Sequence, residues 1–261
     1  MSHDRWSNAV LSLRPLWGFR DLLLRFAQYH DWPTLGALEE QWLLAANVRT
    51  MAGEPLRLIE PTPRLRRPKP RSRNDLYDSS VANGRVPTRY RNWHDFFNVM
   101  MFVAFPSGKA LLHSRHRRIL EARVPEQVSR LPGTRTTEQD CLTMLDEGGV
   151  LLCVHPENVA TLDRQLDAGA HDELPGWVRD GRLAPWLFGH AHAEHLVRRA
   201  LNDCSRELPR AKPVVLGVAP NAPRSQVDFA LTKRLAEPDF CVSRDGRRAL
   251  SLEPLYLELH E

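Results

Sequence analysis

The sequence predicts an α+β fold, predominantly helical with a few short strands, in a single domain spanning residues 1–261. Apolar residues recur at helical spacing along most of the chain. Only two runs, residues 150–154 and 212–218, read as buried strands. Several helical stretches separate them, which favours α+β over a regular βαβ array.

In chain order, Leu16, Phe19, Leu22, Leu23 and Phe26 mark a helix over residues 16–28, with Arg20, Asp21 and Arg25 elsewhere on the wheel. Residues 33–48 read as a second helix. Pro33 suits its first turn, and Leu35, Leu38, Trp42 and Ala45 or Ala46 form its buried stripe. Residues 56–60 alternate loosely, as a short strand would. Residues 61–73 hold too many prolines for a helix or a central strand and read as a Pro/Arg-rich surface arm. A helix then begins near Asn92 and stops at Pro106, which opens another over residues 107–123. Thr136 or Thr137 caps a helix running to Leu145, ahead of Asp146-Glu147-Gly148-Gly149 and the first buried strand. Pro156 opens a further helix. A long helix is expected over residues 186–201 and another over 227–235, while residues 250–259 are weakly strand-like.

The net charge of +4 is modest, and only four of the 36 basic residues (Lys69, Lys109, Lys212 and Lys233) are lysine. Arginine pairs bidentately with carboxylate and phosphate. An arginine bias also follows from GC-rich coding, so composition alone assigns no nucleic-acid binding. Cys141, Cys153, Cys204 and Cys241 form no CxxC pair and read as reduced, mostly buried thiols. The amino terminus lacks a signal-peptide pattern, and no run of ~18 apolar residues predicts a membrane span. The expected location is the cytoplasm.

The helix around His94-Asp95-Phe96-Phe97-Asn98 is apolar nearly all round, yet His94, Asp95 and Asn98 share one arc of about 100°. Buried polar groups need partners, so this arc predicts a polar pocket. A purely architectural reading stands beside it: Asn92 caps the helix, Asp95 sits at its third position, and Asn98 ties down a loop. Val86-Pro87-Thr88-Arg89, the HDFFN core at 94–98, and Phe105-Pro106 with Lys109 together resemble the bacterial family catalogued as domain of unknown function 3025. Asp146-Glu147 before an apolar strand and Gly189-His190-Ala191 after a tryptophan extend the resemblance over residues 77–216, with Ser107-Gly108 and His113 departing from the pattern. It implies a bacterial origin and supplies no activity.

His190 and Glu194 are one helical turn apart and could ligate one metal, with His192 and His195 on another face. His113 and His116, amid arginines, read as an exposed basic face. Asp146-Glu147 at a helix-to-strand junction suits a general base or a ligand, and equally a capped turn. There is no GxSxG and no GxGxxG, and the Ser107-Gly108-Lys109-Ala110 run lacks the upstream glycine and hydroxyl of a phosphate loop. Cys153, inside an apolar strand, is a poor nucleophile.

Two functional readings follow. The first is an enzyme, a metal-dependent hydrolase in its simplest form, with His94, Asp95, Asn98, Asp146 and Glu147 as candidate catalytic residues. In it His94, His190 and one or two carboxylates, Glu194 or else Asp95, Asp146 or Glu147, ligate a divalent transition metal, and Arg89 holds an anionic small molecule. The second is a non-catalytic module that binds nucleic acid or another polyanion through residues 64–73 and an arginine face at 115–123.

Overall fold

The structure, a computed structural model, describes residues 4–61, 72–73, 76–127, 134–201, 208–242 and 249–259. Residues 8–26 fold as successive tight turns, although a single helix was expected over residues 16–28. 3-10 helices at Asn8–Ser12, Arg14–Phe19 and Leu24–Phe26 flank the short helix α1 (Arg20–Leu23). Pro15 lacks an N–H to donate. Gly18 lies against the Trp186 ring, where a Cβ would approach to 2.8 Å. The expected apolar side chains nevertheless point inward.

Helix α2 (Leu35–Leu38), capped by Thr34, continues as a π-helix over Glu39–Leu44. The wider π turn rotates the stripe, so Leu43 and Val48 are buried while Ala45 and Ala46 are exposed, contrary to expectation. Strand β1 (Arg57–Ile59) pairs in parallel with β2 (Arg85–Pro87), across α3 (Tyr77–Ala82). Of the arm at 61–73, residues 62–71 lie outside the described residues, and the Arg73 guanidinium donates to the Val124 carbonyl at 2.9 Å.

Helix α4 (Trp93–Ala104) forms where its cap and its apolar run predict. The Asn92 side chain accepts from the Asp95 N–H at 3.0 Å, and Asp4 Oδ2 accepts from the Trp93 N–H at 2.9 Å. Every residue of α4 is buried except His94. Pro106 then starts α5 (Pro106–Arg123), whose first two N–H groups, at Ser107 and Gly108, donate to Asp228.

A Thr136–Gln139 capping box starts α6 (Thr137–Gly148), which runs directly into β3 (Gly149–Val154). There follow α7 (Val159–Ala168), α8 (Leu174–Arg179), β4 (Leu183–Leu187), α9 (His190–Ala200), β5 (Lys212–Gly217), α10 (Arg224–Ala236) and α11 (Glu253–Leu257). The sheet order is β4-β3-β5, with β3 antiparallel to β4, parallel to β5 and buried along its whole length. The fold is therefore a mostly helical α+β one. Two expectations are corrected. Trp186 belongs to β4, with Pro185 tolerated on this edge strand, so the helix expected from residue 186 starts at His190. Residues 253–257 are helical, and only the Ala211–Leu250 bridge is strand-like in the 250–259 segment.

The cysteines correct a third. Cys141 and Cys241 are joined in a disulfide that ties α6 to the turn after α10, a pairing across 100 residues that no local spacing reveals. Cys153 is free, and burial in β3 pushes its thiol up to about 12. Cys204 lies outside the described residues. Among the described residues no helix is long and apolar enough to cross a membrane.

Candidate metal centre

Three helix ends meet beside β3: the first turn of α4, the last turn of α6 and the first turn of α9. Glycine makes the junction of the last two possible. A Cβ at Gly189 would lie 2.5 Å from both Gly148 Cα and Gly149 N and 2.6 Å from the Glu147 carbonyl oxygen. The N–H groups of Phe188 and Gly189 donate to the Gly149 carbonyl at 3.1 and 2.8 Å, so His190 starts its helix directly beside Glu147.

His94 Nε2 and His190 Nε2 stand 3.1 Å apart. Glu147 Oε2 lies 3.5 Å from the second and 3.8 Å from the first. These three side chains are the one group of histidines, cysteines and acids among the described residues whose donor atoms all fall within 4.8 Å of one another. Tetrahedral ligands at bond lengths of roughly 2.0–2.1 Å sit about 3.4 Å apart, the range in which these three separations fall. The His190 side chain is almost wholly buried, whereas that of Glu147 is 44% exposed, so one side of the cluster opens to solvent.

The partners of the other ring nitrogens decide what the cluster presents. His94 Nδ1 faces Glu194 Oε2 at 3.0 Å, and a carboxylate only accepts, so the ring proton belongs on Nδ1. His190 Nδ1 is buried 4.0 Å from Asp146 Oδ1, beyond hydrogen-bond reach. With its proton on Nδ1, His94 directs its Nε2 lone pair at His190 Nε2, and the Glu147 carboxylate turns towards the same point. Two ring nitrogens 3.1 Å apart are held together either by a proton, in an N–H···N hydrogen bond, or by a metal ion.

Shifts in proton affinity follow from the same contacts. Burial disfavours the charged form of His94, but the Glu194 hydrogen bond and the charges of Glu147 and Glu194 outweigh it and raise its pKa. Burial, reinforced by the charges of Lys109 and His94, drives His190 well below its ordinary value. Burial raises Glu147, though His94 opposes it. Glu194 falls below the usual carboxylate value despite burial, because His94 and Arg198 both favour its charge.

Glu194 therefore has a role other than the expected ligation. It grips His94 from behind and is itself held by Arg198, whose Nε donates to Oε1 at 2.8 Å. Glu147 is the carboxylate that comes within 4.8 Å of both Nε2 atoms. Arg89, expected to hold an anionic substrate, closes on Asp95 instead: Nε and Nη2 donate to the two carboxylate oxygens at 2.8 Å, and the Arg89 N–H adds a third bond at 2.6 Å. Asp95 and Arg89 thus fix the entry to α4 and occupy one another. Asn98 and Asp146 meet at Lys109, which is fully buried and donates to both, while the Asn98 amide donates to the Tyr77 hydroxyl at 2.6 Å. The Lys109 charge holds Asp146 far below the usual carboxylate range against the penalty of burial. Of these two expected catalytic residues, Asp146 lies 4.0 Å behind the His190 ring and Asn98 connects to it through Lys109.

Sequence reasoning did not find the parts played by Lys109 and Arg198. Arg198 carries a usable signal, four residues after Glu194 on one helix. The expected exposed basic face of α5 is corrected too. His113, Arg115 and His116 are buried, and Arg115 bonds to Glu138 and to the Leu235 and Phe240 carbonyls. His192 is likewise buried, its Nε2 on the Pro209 carbonyl at 2.7 Å, so it makes no pair with His195.

No curated protein and no solved structure matches the chain. A family model does, over residues 67–257, a stretch that contains every side chain of the cluster. The chain that builds this junction of three helix ends thus belongs to the family described as "protein of unknown function (DUF3025)".

Proposed function

We propose that this protein is a metal-dependent hydrolase in which His94, Glu147 and His190 hold a divalent transition metal. The observation that carries the reading is the convergence of His94 Nε2, His190 Nε2 and a Glu147 carboxylate oxygen within 4.8 Å of one another, with Glu194 holding the His94 ring proton on Nδ1. Two imidazoles and one carboxylate form a donor set suited to zinc and neighbouring first-row metals. Three protein ligands with one side open to solvent leave a position for water, whose pKa such a metal lowers to about 7. The Glu194 carboxylate behind His94 is the kind of outer partner that fixes a ligating histidine's tautomer and raises its basicity. The buried Lys109–Asp146 pair keeps the floor of the site charge-balanced and dry.

Polyanion binding gains no such support. The described part of the arginine face at 115–123 is largely spent on internal partners, with Arg117 bonded to Glu121 and Asn83. The test of the metal reading is elemental analysis of the purified chain, with Co(II) reconstitution of chelator-treated protein. One metal per chain, lost in His94→Ala and in His190→Ala, is the expected result. A chain that takes up no divalent metal while fully folded overturns it.

A further inference from the structure

We infer that Asp4 is a positioning residue of this centre, the far end of a chain of alternating charges that holds the His94 ring; the inference rests on the metal reading above. Asp4 lies outside the family-matched residues 67–257. Its Oδ1 accepts from Arg198 Nη2 at 2.8 Å, Arg198 Nε donates to Glu194 Oε1 at 2.8 Å, and Glu194 Oε2 accepts from His94 Nδ1 at 3.0 Å. The four groups alternate in sign from end to end, and the acids along the chain are mostly shielded, their side chains 12% and 17% exposed. Each link limits the motion of the next, and the last fixes which nitrogen of His94 faces the metal.

Asp4 also grips the same histidine from its backbone side. Its second oxygen accepts from the N–H of Trp93, the residue before His94. Its own backbone is tied down by the Asp4 N–H on the Arg91 carbonyl at 3.2 Å and by Trp32 Nε1 on the Asp4 carbonyl at 2.6 Å. Trp6, two residues on, stacks on Trp93 with ring centroids 5.2 Å apart. The amino-terminal segment thus sets both the helix that carries His94 and the carboxylate that orients its ring.

Asp4→Asn separates the two roles, because the amide oxygen still accepts from Trp93 while the charge opposite Arg198 is gone. Competitive chelator titration of the full chain with Zn(II) or Co(II) reads the result. The expected outcome is metal binding weakened by about 10-fold, the lower end of the effect of a lost outer-sphere partner. The metal-free melting temperature should move by no more than about 3 °C, since the pair is partly exposed. In an Arg198→Ala background Asp4→Asn should add nothing further, because its effect passes through Arg198; a merely structural Asp4 would weaken both backgrounds alike. Unchanged affinity in Asp4→Asn, with the wild-type chain binding metal, overturns the positioning role alone. A wild-type chain that binds no metal overturns the metal reading and this inference with it. Should Asp4→Asn not fold, Arg198→Gln cuts the same chain at its next link, leaves the Trp93 cap in place and is judged by the same criteria.

Discussion

Two clusters in this molecule are built from the same parts, two histidines and a carboxylate, and do opposite things with them. Beside β3, His94, His190 and Glu147 point their donors at one another, with ring centroids 4.4 Å apart and a carboxylate open to solvent. Between α3 and α5, Asp78 sends one oxygen to His113 Nδ1 at 3.0 Å and turns the other towards His116 Nδ1 at 3.9 Å. Those two rings stand 6.4 Å apart, and His113 stacks on Phe102. The carboxylate there divides the histidines between its oxygens, so no point receives three lone pairs. Convergence of donors, rather than the inventory of residues, separates a candidate metal centre from a buried ionic cluster. Lys109 lies between the two: it pairs with Asp146 beneath the first and sits over the Phe102 ring, 4.5 Å from its centroid, beside the second.

Removing Lys109 should break the comparison most severely. Lys109→Met leaves Asp146 charged and unpaired in the interior and should cost about 3–5 kcal/mol of stability. The double variant Lys109→Met/Asp146→Leu should recover much of that loss. Urea denaturation of the three proteins checks both statements, and a mild single variant would show that the charge is solvated after all.

The second contrast is between single histidines. His190→Ala should weaken divalent-metal binding by more than about 100-fold, beyond the range of a lost outer-sphere contact. His113→Ala should leave metal affinity unchanged and lower thermal stability. Elemental analysis and melting curves of the two variants separate the clusters, and equal metal loss in both would erase the distinction. Gly189→Ala should fall between. Its Cβ collides with backbone, so α9 must move away from Glu147 at a cost of about 1–3 kcal/mol, with weaker metal binding as the sign that the donors have parted.

How far the sequence foretold this depends on whether a feature is local. Helix α4 was legible because its cap at Asn92, its apolar run and its stop at Pro106 are all local signals. The start of α6 was legible for the same reason, to within the choice of Thr136 or Thr137 as its cap. The turns at residues 8–26 were not, because helical spacing of apolar residues does not tell one helix from a succession of 3-10 turns. Trp186 was placed in the wrong element since a short apolar run suits a strand or a helix equally. His94, Glu147 and His190 could each be singled out from the residues beside them. That Glu194 takes Nδ1 of His94 while Glu147 joins the two Nε2 atoms depends on three helices meeting and has no trace in local spacing. His113 and His116 were misread because a helical wheel shows which residues share a face and not which acid covers it.

The smallest effect tests the second cluster by its response to acid. Burial, with help from His113 and Arg135, lowers the pKa of His116, and Asp78 only partly offsets this. The ordinary value of about 6.5 applies once the chain unfolds. Below that value the unfolded state takes up a proton that the folded state refuses, so stability falls as pH drops from about 6.5 towards the lower folded pKa. Glutamine at this position cannot be protonated, so His116→Gln removes that contribution while keeping a neutral polar side chain of similar reach. The variant should therefore cost most stability near pH 7.5, where His116 is neutral in both states, and measurably less near pH 5. Chemical denaturation at the two pH values reads the difference, and a cost that does not change with pH would mean that His116 meets enough water or charge in the fold to titrate normally. Metal affinity at pH 7.5 should be the same in His116→Gln as in the wild-type chain, because this cluster spends its donors on Asp78 and has none aimed at a shared point.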